Sequence, residues 1–239
     1  MEASHAGMVA PRSQNGGVDI SQSSESRYVP ALGFPWLTPA YDVVVRLTTR
    51  EKIFKSALIE QSNMELAQEV LDLACGTGTL AILAKKSHPQ ANVTAIDGDL
   101  NILTIADRKA KQANVAIHFD HGLSFSLPYS NERFDCVLSS LFFHHLSWSD
   151  KQRTAQELYR VLRPGGELHV ADWGRATGLL MRGAFFAVQV LDGFKNTQDN
   201  IDGKLIELFQ NAGFSHVSEE RTFSTMFGTL SLYRAVKET

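Results

Sequence analysis

Apolar and polar positions recur along the chain with two different periods, and these periods succeed one another regularly. Short apolar runs that end at glycine or aspartate are typical of buried parallel strands, whereas apolar positions three and four residues apart are typical of amphipathic helices. The first pattern predicts strands at residues 69–75, 92–97, 115–119, 134–140 and 167–172. The second predicts the helices between them, at residues 79–87, 100–114 and 149–162, the last opened by Ser149 and Gln152 as a capping box.

This alternation favours an α/β fold, with a doubly wound and mostly parallel sheet covered by helices on both faces. Residues 175–195 and 202–214 predict two further helices, the second ended by Gly213. Two alternating segments follow, residues 216–224 and 228–237, joined by a turn too short for a parallel crossover. We therefore expect seven strands, the last of them antiparallel to the rest.

Composition divides the chain into a tail and one folded domain. Residues 1–26 are rich in Ser, Gly, Gln and Asn, so we predict a mobile tail that buries too little apolar surface to become ordered. Residues 27–239 form one predicted domain: an N-terminal lid at 27–65, a ligand-binding core at 66–175, and C-terminal helices with a strand pair at 176–239. With 239 residues, 44% of them hydrophobic, the chain can bury one sizeable core.

Charge and cysteine content exclude several classes of function. The net charge of -3 gives no general attraction to nucleic acid, and we expect no nucleic-acid partner. Cys75 and Cys136 lie in predicted strands, which is unlike a disulfide framework or a zinc site, so we expect no metal and a reducing, cytoplasmic setting. No apolar run reaches the length of a membrane span, so we expect no stable membrane insertion.

The turn after the first predicted strand is the first candidate ligand site. It reads Asp72-Leu-Ala-Cys-Gly76-Thr-Gly78, and ligands of doubly wound sheets bind beyond the carboxyl ends of the strands. Glycines at 76 and 78 allow the backbone to approach a ligand closely. The carboxylate of Asp72 suits an ammonium group better than a pyrophosphate, which it would repel. Taken alone, the same turn is equally compatible with a purely structural role.

Asp97 is the second candidate. It ends the second predicted strand, 19 residues after Gly78, where an acidic side chain can accept hydrogen bonds from a ribose diol. Asp99 is the better N-cap for the following helix, which leaves Asp97 for a ligand. The two candidates together indicate a nucleoside-bearing ligand, and by themselves they do not separate S-adenosylmethionine from NAD.

The segments VLDLACGTGTLA, TAID, FDCVLSS and LYRVLRPGGELHVAD occur in the order and spacing of a known family. Over roughly residues 40–175 the chain resembles the class I S-adenosylmethionine-dependent methyltransferases, and most closely the branch of the ubiquinone/menaquinone biosynthesis methyltransferases. The resemblance implies a Rossmann-like fold, S-adenosyl-L-methionine as cofactor and a small-molecule methyl acceptor.

The resemblance also implies which residues hold the cofactor. The glycine turn would pass under the methionine part with Asp72 near its amino group, and Asp97 would hold the ribose. The chain departs from the family near the adenine, where Leu123 replaces a frequent acidic residue. The implied cofactor-binding residues are Tyr41, Asp72, Ala74, Gly76, Thr77, Gly78, Asp97, Gly98, Gly122, Leu123 and Ser139.

His144, His145 and Asp172 are candidate catalytic residues, because they follow the fourth and fifth predicted strands at the mouth of the ligand crevice. An imidazole can take a proton near neutral pH. Adjacent side chains point apart, so we expect at most one histidine to face the substrate. Alternatives remain open: one histidine packs under the next helix, and Asp172 caps a helix or pairs with Arg175.

The acceptor pocket is predicted from Phe34–Tyr41, the loop after the fourth strand, and the apolar helix 179–194. That helix could instead pack in the core or form a homodimer surface. Two other functions stay open besides methyl transfer. A non-catalytic S-adenosylmethionine-binding protein is compatible with the altered adenine position, whereas an NAD-dependent oxidoreductase is disfavoured by Asp72.

Overall fold

The computed structural model describes residues 51–238 except 63, 66, 67, 176, 177, 179–182 and 184–193. The predicted tail at 1–26, the candidate residue Tyr41, the segment Phe34–Tyr41 and nearly all of the predicted helix 179–194 lie outside the described residues. The described helices are α1 (Glu51–Gln61), α2 (Thr79–Ser87), α3 (Leu100–Gln112), α4 (Trp148–Val161), α5 (Phe194–Ile201) and α6 (Leu205–Asn211), with a 3-10 turn at Phe143–His145. The strands are β1 (Glu69–Leu73), β2 (Asn92–Asp97), β3 (His118–His121), β4 (Phe134–Ser140), β5 (Leu162–Trp173), β6 (Ser215–Thr225) and β7 (Gly228–Val236).

The seven strands form one sheet in the order β3-β2-β1-β4-β5-β7-β6. Neighbours from β3 to β5 pair in parallel, and β7 pairs antiparallel with both β5 and β6. The predicted fold class is therefore confirmed, including the antiparallel last strand. The strand order reverses between β1 and β4, so the crevice expected of a doubly wound sheet lies between their carboxyl ends. We call the side of the sheet formed by the carboxyl ends of β1–β5 the carboxyl edge.

Apolar side chains form two clusters, as a sheet covered on both faces requires. One cluster contains Phe54 and Leu58 of α1 together with Leu80 of α2. The other contains Leu158 of α4 and Phe209 of α6, among others. The helices are therefore held against the sheet by the stripe of apolar residues that their periodicity predicts.

Several predicted boundaries are corrected by the structure. The N-cap of α4 is Ser147 rather than Ser149, since the Ser147 side chain accepts the first-turn amide of Asp150. The third strand is shifted from the predicted 115–119 to β3. The fifth strand begins at Leu162 instead of after the Pro-Gly-Gly turn, because Leu162 already pairs with Phe134.

The helix predicted at 202–214 is shorter in the structure, where α6 begins only at Leu205. Gly213 ends it as predicted, with a φ of 105° that favours glycine. Helix α5 extends to Ile201, beyond the end predicted for the preceding helix. In the part of the chain described, no helix is long and apolar enough to span a bilayer.

Candidate active site

The glycine turn joins β1 to α2 through alternating left-handed residues: Ala74, Gly76 and Gly78 have φ values of 53°, 54° and 76°. The two glycines serve different purposes. A Cβ on Gly78 would stand 3.0 Å from the Ala106 Cβ, so this glycine lets α3 pack closely. A Cβ on Gly76 would meet no atom of the described residues within 4 Å, so within that part of the chain the backbone borders open space.

Asp72 ends up almost wholly buried beneath this turn, with 1% of its surface exposed. Its Oδ2 accepts the Ala81 amide at 2.9 Å and so caps α2, whose N-cap residue Gly78 has no side chain to do so. Its Oδ1 has no hydrogen-bond partner among the described residues. Burial raises the pKa of Asp72 to about 7, against the lowering effect of the Lys55 charge. A buried acceptor without a donor costs free energy unless a ligand supplies one.

Asp97 joins the glycine turn to the loop after β2. Its Oδ2 accepts the Gly76 amide at 2.9 Å and its Oδ1 accepts the Asp99 amide at 3.0 Å. Burial raises the pKa of Asp97, and the hydrogen bond from Gly76 is the strongest opposing effect. Asp99 caps α3 as predicted, accepting the amides of Asn101 and Ile102. A carboxylate has about four lone-pair sites, so Asp97 can accept further hydrogen bonds from a ligand.

Gly98, Gly122 and Leu123 lie beside Asp97, where β2 and β3 end at the carboxyl edge. The Gly122 amide donates to the Asp97 carbonyl at 3.1 Å, and a Cβ on Gly122 would stand 2.9 Å from the Ile96 side chain. Leu123 is partly exposed. His121, whose Nε2 lies 3.1 Å from the Gly98 carbonyl oxygen, is an exposed neighbour that the sequence motifs did not single out.

Ser139 and Thr77 hold the turn in place through their hydroxyl groups. Ser139 is fully buried, and its Oγ donates to the Leu73 carbonyl at 3.1 Å across the strands β4 and β1. Thr77 Oγ1 accepts from Lys109 Nζ at 2.7 Å. Lys109 belongs to α3 and lies 32 residues away in the chain, so no local pattern could have identified it.

His144 and Asp172 are in direct contact, with 2.7 Å between His144 Nδ1 and Asp172 Oδ1. Asp172 also accepts the backbone amides of Phe142, Phe143 and Trp173. Burial acts to raise the pKa of Asp172, but the charge and hydrogen bond of His144 outweigh it and hold that pKa below its usual value. Both side chains are almost completely buried, so the pair fixes the 3-10 turn after β4.

His145 lies against His144, with 3.9 Å between the ring centroids. The expectation that the two side chains point apart is wrong, because they occupy a 3-10 turn rather than extended backbone. Desolvation lowers the pKa of His145 to about 3, with a further contribution from the His144 charge. Asn196 of α5 donates to the His145 carbonyl at 3.1 Å. The His145 ring is therefore neutral at neutral pH.

Comparison with known proteins shows which proteins the chain resembles. Residues 70–166 match the family model of a methyltransferase domain. The chain is similar to a demethylmenaquinone methyltransferase of Thermus thermophilus, with 32% identity over 59% of this chain and 64% of that protein. It is 28% identical to a demethylmenaquinone methyltransferase of Listeria welshimeri, over 77% of this chain and 86% of that protein. Over these residues the chain is similar to class I S-adenosylmethionine-dependent methyltransferases.

A solved structure shows the same fold as this chain. An O-methyltransferase family protein from Burkholderia thailandensis superposes with a TM-score of 0.67 over 84% of this chain and 60% of that chain. Its sequence identity of 17% supports likeness of fold alone. The chain thus spans less than two thirds of that protein and of the Thermus relative, so their activities are not transferred to it directly.

Proposed function

We propose that this methyltransferase transfers the methyl group of S-adenosylmethionine to a small-molecule acceptor at the carboxyl edge of the sheet. The observation that carries the proposal is Asp72 Oδ1, which has no partner in the described part of the chain and is buried beside a turn that borders open space there at Gly76. The carboxyl group offers a negative charge to a ligand, and the glycine lets the ligand lie close to the backbone. Both groups lie next to the reversal in strand order, where doubly wound sheets bind nucleosides.

The described residues fit the polar groups of the cofactor. Asp72 would accept a hydrogen bond from the amino group, and Gly76 would let the methionine part lie against the backbone. Asp97 would accept from the ribose hydroxyls, and the backbone around Gly122 and Leu123 would border the adenine. When bound, the cofactor supplies an electrophilic methyl group on a sulfonium with a good leaving group.

The residues at the other end of the crevice are His144, His145 and Asp172. They act mainly by holding other groups in place. His144 and Asp172 hold the turn after β4, and both are almost completely buried. His145 is neutral, but its low pKa makes it a weak base. We therefore assign most of the rate to holding the acceptor in line with the methyl group. His145 then takes the secondary role of a hydrogen-bond acceptor.

A hydroquinone is the acceptor class that we propose. The two relatives described above are named demethylmenaquinone methyltransferases. Ionisation of one ring hydroxyl, with its proton released to water, would make a ring carbon nucleophilic. As that carbon bonds to the methyl group, the sulfur–methyl bond would break and leave a neutral thioether, and the ring carbon would then release its own proton to water and restore the aromatic ring. The cytoplasmic setting, the absence of a nucleic-acid partner and a homodimer remain predictions.

NAD-dependent oxidoreduction is the competing function for the same crevice. The buried carboxyl group of Asp72 lies where a pyrophosphate would have to approach the glycine turn, and two like charges repel strongly at such a site. A protein that binds S-adenosylmethionine without catalysis would leave the crevice unchanged, so turnover has to be measured separately.

Calorimetry with S-adenosylmethionine and with NAD tests the cofactor. We expect micromolar binding of S-adenosylmethionine alone, weakened at least about tenfold in Asp97→Ala. The isosteric Asp97→Asn, checked for an unchanged thermal melt, separates lost hydrogen bonding from damage to the turn. Binding of NAD alone would contradict the proposal. Transfer of labelled methyl from bound cofactor to a short-chain hydroquinone then distinguishes an enzyme from a passive binder.

A further inference from the structure

Lys55 of α1 is a buried cation. The roles given above to the glycine turn, Asp72 and Asp97 do not explain its burial. Only 8% of its surface is exposed, although lysine is rarely buried without full pairing. Its Nζ donates to Glu51 Oε1 at 2.6 Å, one helical turn earlier. An ammonium group carries three donors, and this is its single hydrogen bond within the described residues.

The packing of α1 places Lys55 near the glycine turn. Its neighbours on the helix, Phe54 and Leu58, belong to the same apolar cluster as Cys75 of the turn and Leu80 of α2. Burial raises the pKa values of both Asp72 and Cys75, and the charge of Lys55 opposes that effect at each of them.

Lys55 and Asp72 nevertheless form no ion pair among the described contacts. Each is buried, and toward the described residues each has unused hydrogen-bonding capacity: further N–H donors on Lys55 and the Oδ1 of Asp72. A cation and an anion that are near but not joined can both be satisfied by a ligand that carries the two opposite charges. The amino-acid end of S-adenosylmethionine is such a zwitterion.

We propose that Lys55 binds the α-carboxylate of the cofactor while Asp72 Oδ1 accepts a hydrogen bond from its α-ammonium group. The inference rests on the proposed cofactor and adds a residue of α1 to its binding site. Glu51 accepts one hydrogen bond from Lys55 and so orients the Lys55 ammonium group. The negative charge of Glu51 disfavours any other nearby position for the carboxylate of the cofactor. Recognition is thus specific for ligands with an intact amino-acid end.

The test compares S-adenosylmethionine with decarboxylated S-adenosylmethionine, which keeps the sulfonium and the ammonium group but lacks the carboxylate. By calorimetry, wild type should bind the complete ligand at least about tenfold more tightly. Lys55→Met, similar in length and uncharged, should lose about tenfold for the complete ligand and change less than about twofold for the decarboxylated one.

Lys52→Met is the matched control, because Lys52 lies one turn away on α1 and is exposed. It should bind both ligands as wild type does. Equal affinity of wild type for the two ligands would overturn the role of Lys55 even if Lys55→Met failed to fold. So would a parallel loss of both ligands in a folded Lys55→Met. Failure of wild type to bind either ligand would instead overturn the cofactor proposal itself.

Discussion

Gly174 follows β5 directly and lies against β7, where its amide donates to the Thr229 carbonyl at 3.0 Å. A Cβ on this residue would stand 1.9 Å from Ser231 Oγ and 2.6 Å from Ser231 Cβ, distances that require the backbone to move. We expect Gly174→Ala to lower the free energy of unfolding by at least about 2 kcal/mol, measured by urea denaturation.

Removing the opposing side chain provides the control for Gly174→Ala. The double variant Gly174→Ala/Ser231→Gly should be more stable than the sum of the two single changes, because the clash disappears with Ser231. Strict additivity of the two free-energy changes would show that the loss comes from somewhere other than this contact.

The role of a single residue could be predicted where it depends only on its neighbours at the end of one helix or strand. Asp99 as the cap of α3 is confirmed, since capping depends on residues two and three positions ahead. The contact between His144 and Asp172 was not predictable, because it joins the ends of two strands 28 residues apart. Lys55 is a similar case: its burial depends on which face of α1 meets the sheet.

Helix α4 permits a direct test of which serine begins it. The sequence pattern pointed to Ser149, but the Ser147 side chain accepts the Asp150 amide and also donates to the Asp150 carboxylate at 2.7 Å. Ser147→Ala should therefore cost about 1 kcal/mol of unfolding free energy, and Ser149→Ala less than about 0.5 kcal/mol. Equal or reversed losses in urea denaturation would favour the sequence-based assignment.

Helix α5 is held to α4 by the buried Lys151. Its Nζ donates to the Asn196 carbonyl at 2.7 Å and to Asn200 Oδ1 at 2.8 Å. Lys151→Met would leave both acceptors without this donor, at a cost on the order of 1–3 kcal/mol. Amide hydrogen exchange should accelerate in α5 and stay unchanged in α2. The exposed neighbour Gln152, changed to Met, should leave both helices protected.

Elements were predicted well where apolar periodicity and burial agree. Helix α2 and the strands β2 and β4 have the predicted bounds, because their apolar residues face the core throughout. Strand β3 differs because it is an edge strand of mostly polar sequence, while the apolar Ile117 just before it packs into the core from a loop. The apolar run therefore predicted where in the chain the third strand lies, but not which of its residues pair with β2.

The alternation of strands and helices along the chain predicted a parallel sheet, since each crossover needs a helix. The C-terminal hairpin was predicted as antiparallel, but its insertion with β7 between β5 and β6 was not. That order depends on contacts between distant elements. Glu167 of β5 pairs with Arg234 of β7, and Gln61 of α1 lies 3.2 Å from His169 of β5.

The same contacts govern how stability depends on pH. Burial lowers the pKa of His169 below the ordinary histidine value of about 6.5, so its contribution is lost progressively as the pH falls from about 6.5 towards that lower pKa. A hydrogen bond from His169, followed by one from Arg234, overcomes burial and lowers the pKa of Glu167 to about 2. The contribution of Glu167 is therefore lost as the pH falls from about 4.5 towards that value.

The ionisation of Asp72 changes stability with pH in the opposite direction. Burial raises its pKa from 3.8 to about 7, so the folded state holds a proton that the unfolded state releases, and stability falls as the pH rises between those values. Asp72→Asn removes this ionisation. Relative to wild type, the variant should gain about 2–3 kcal/mol in free energy of unfolding between pH 5 and pH 7, and nothing more above pH 8.

Urea denaturation of both proteins at pH 5, 6, 7 and 8 measures that difference. A difference that does not change with pH would mean that Asp72 ionises at its ordinary pKa and that its unpartnered oxygen is hydrated. A difference that grows as expected would show that wild type accepts a loss of stability near neutral pH to keep a charged carboxylate at the glycine turn. Because Asp72→Asn should also weaken cofactor binding, the gain in stability and the loss of affinity would then share one cause.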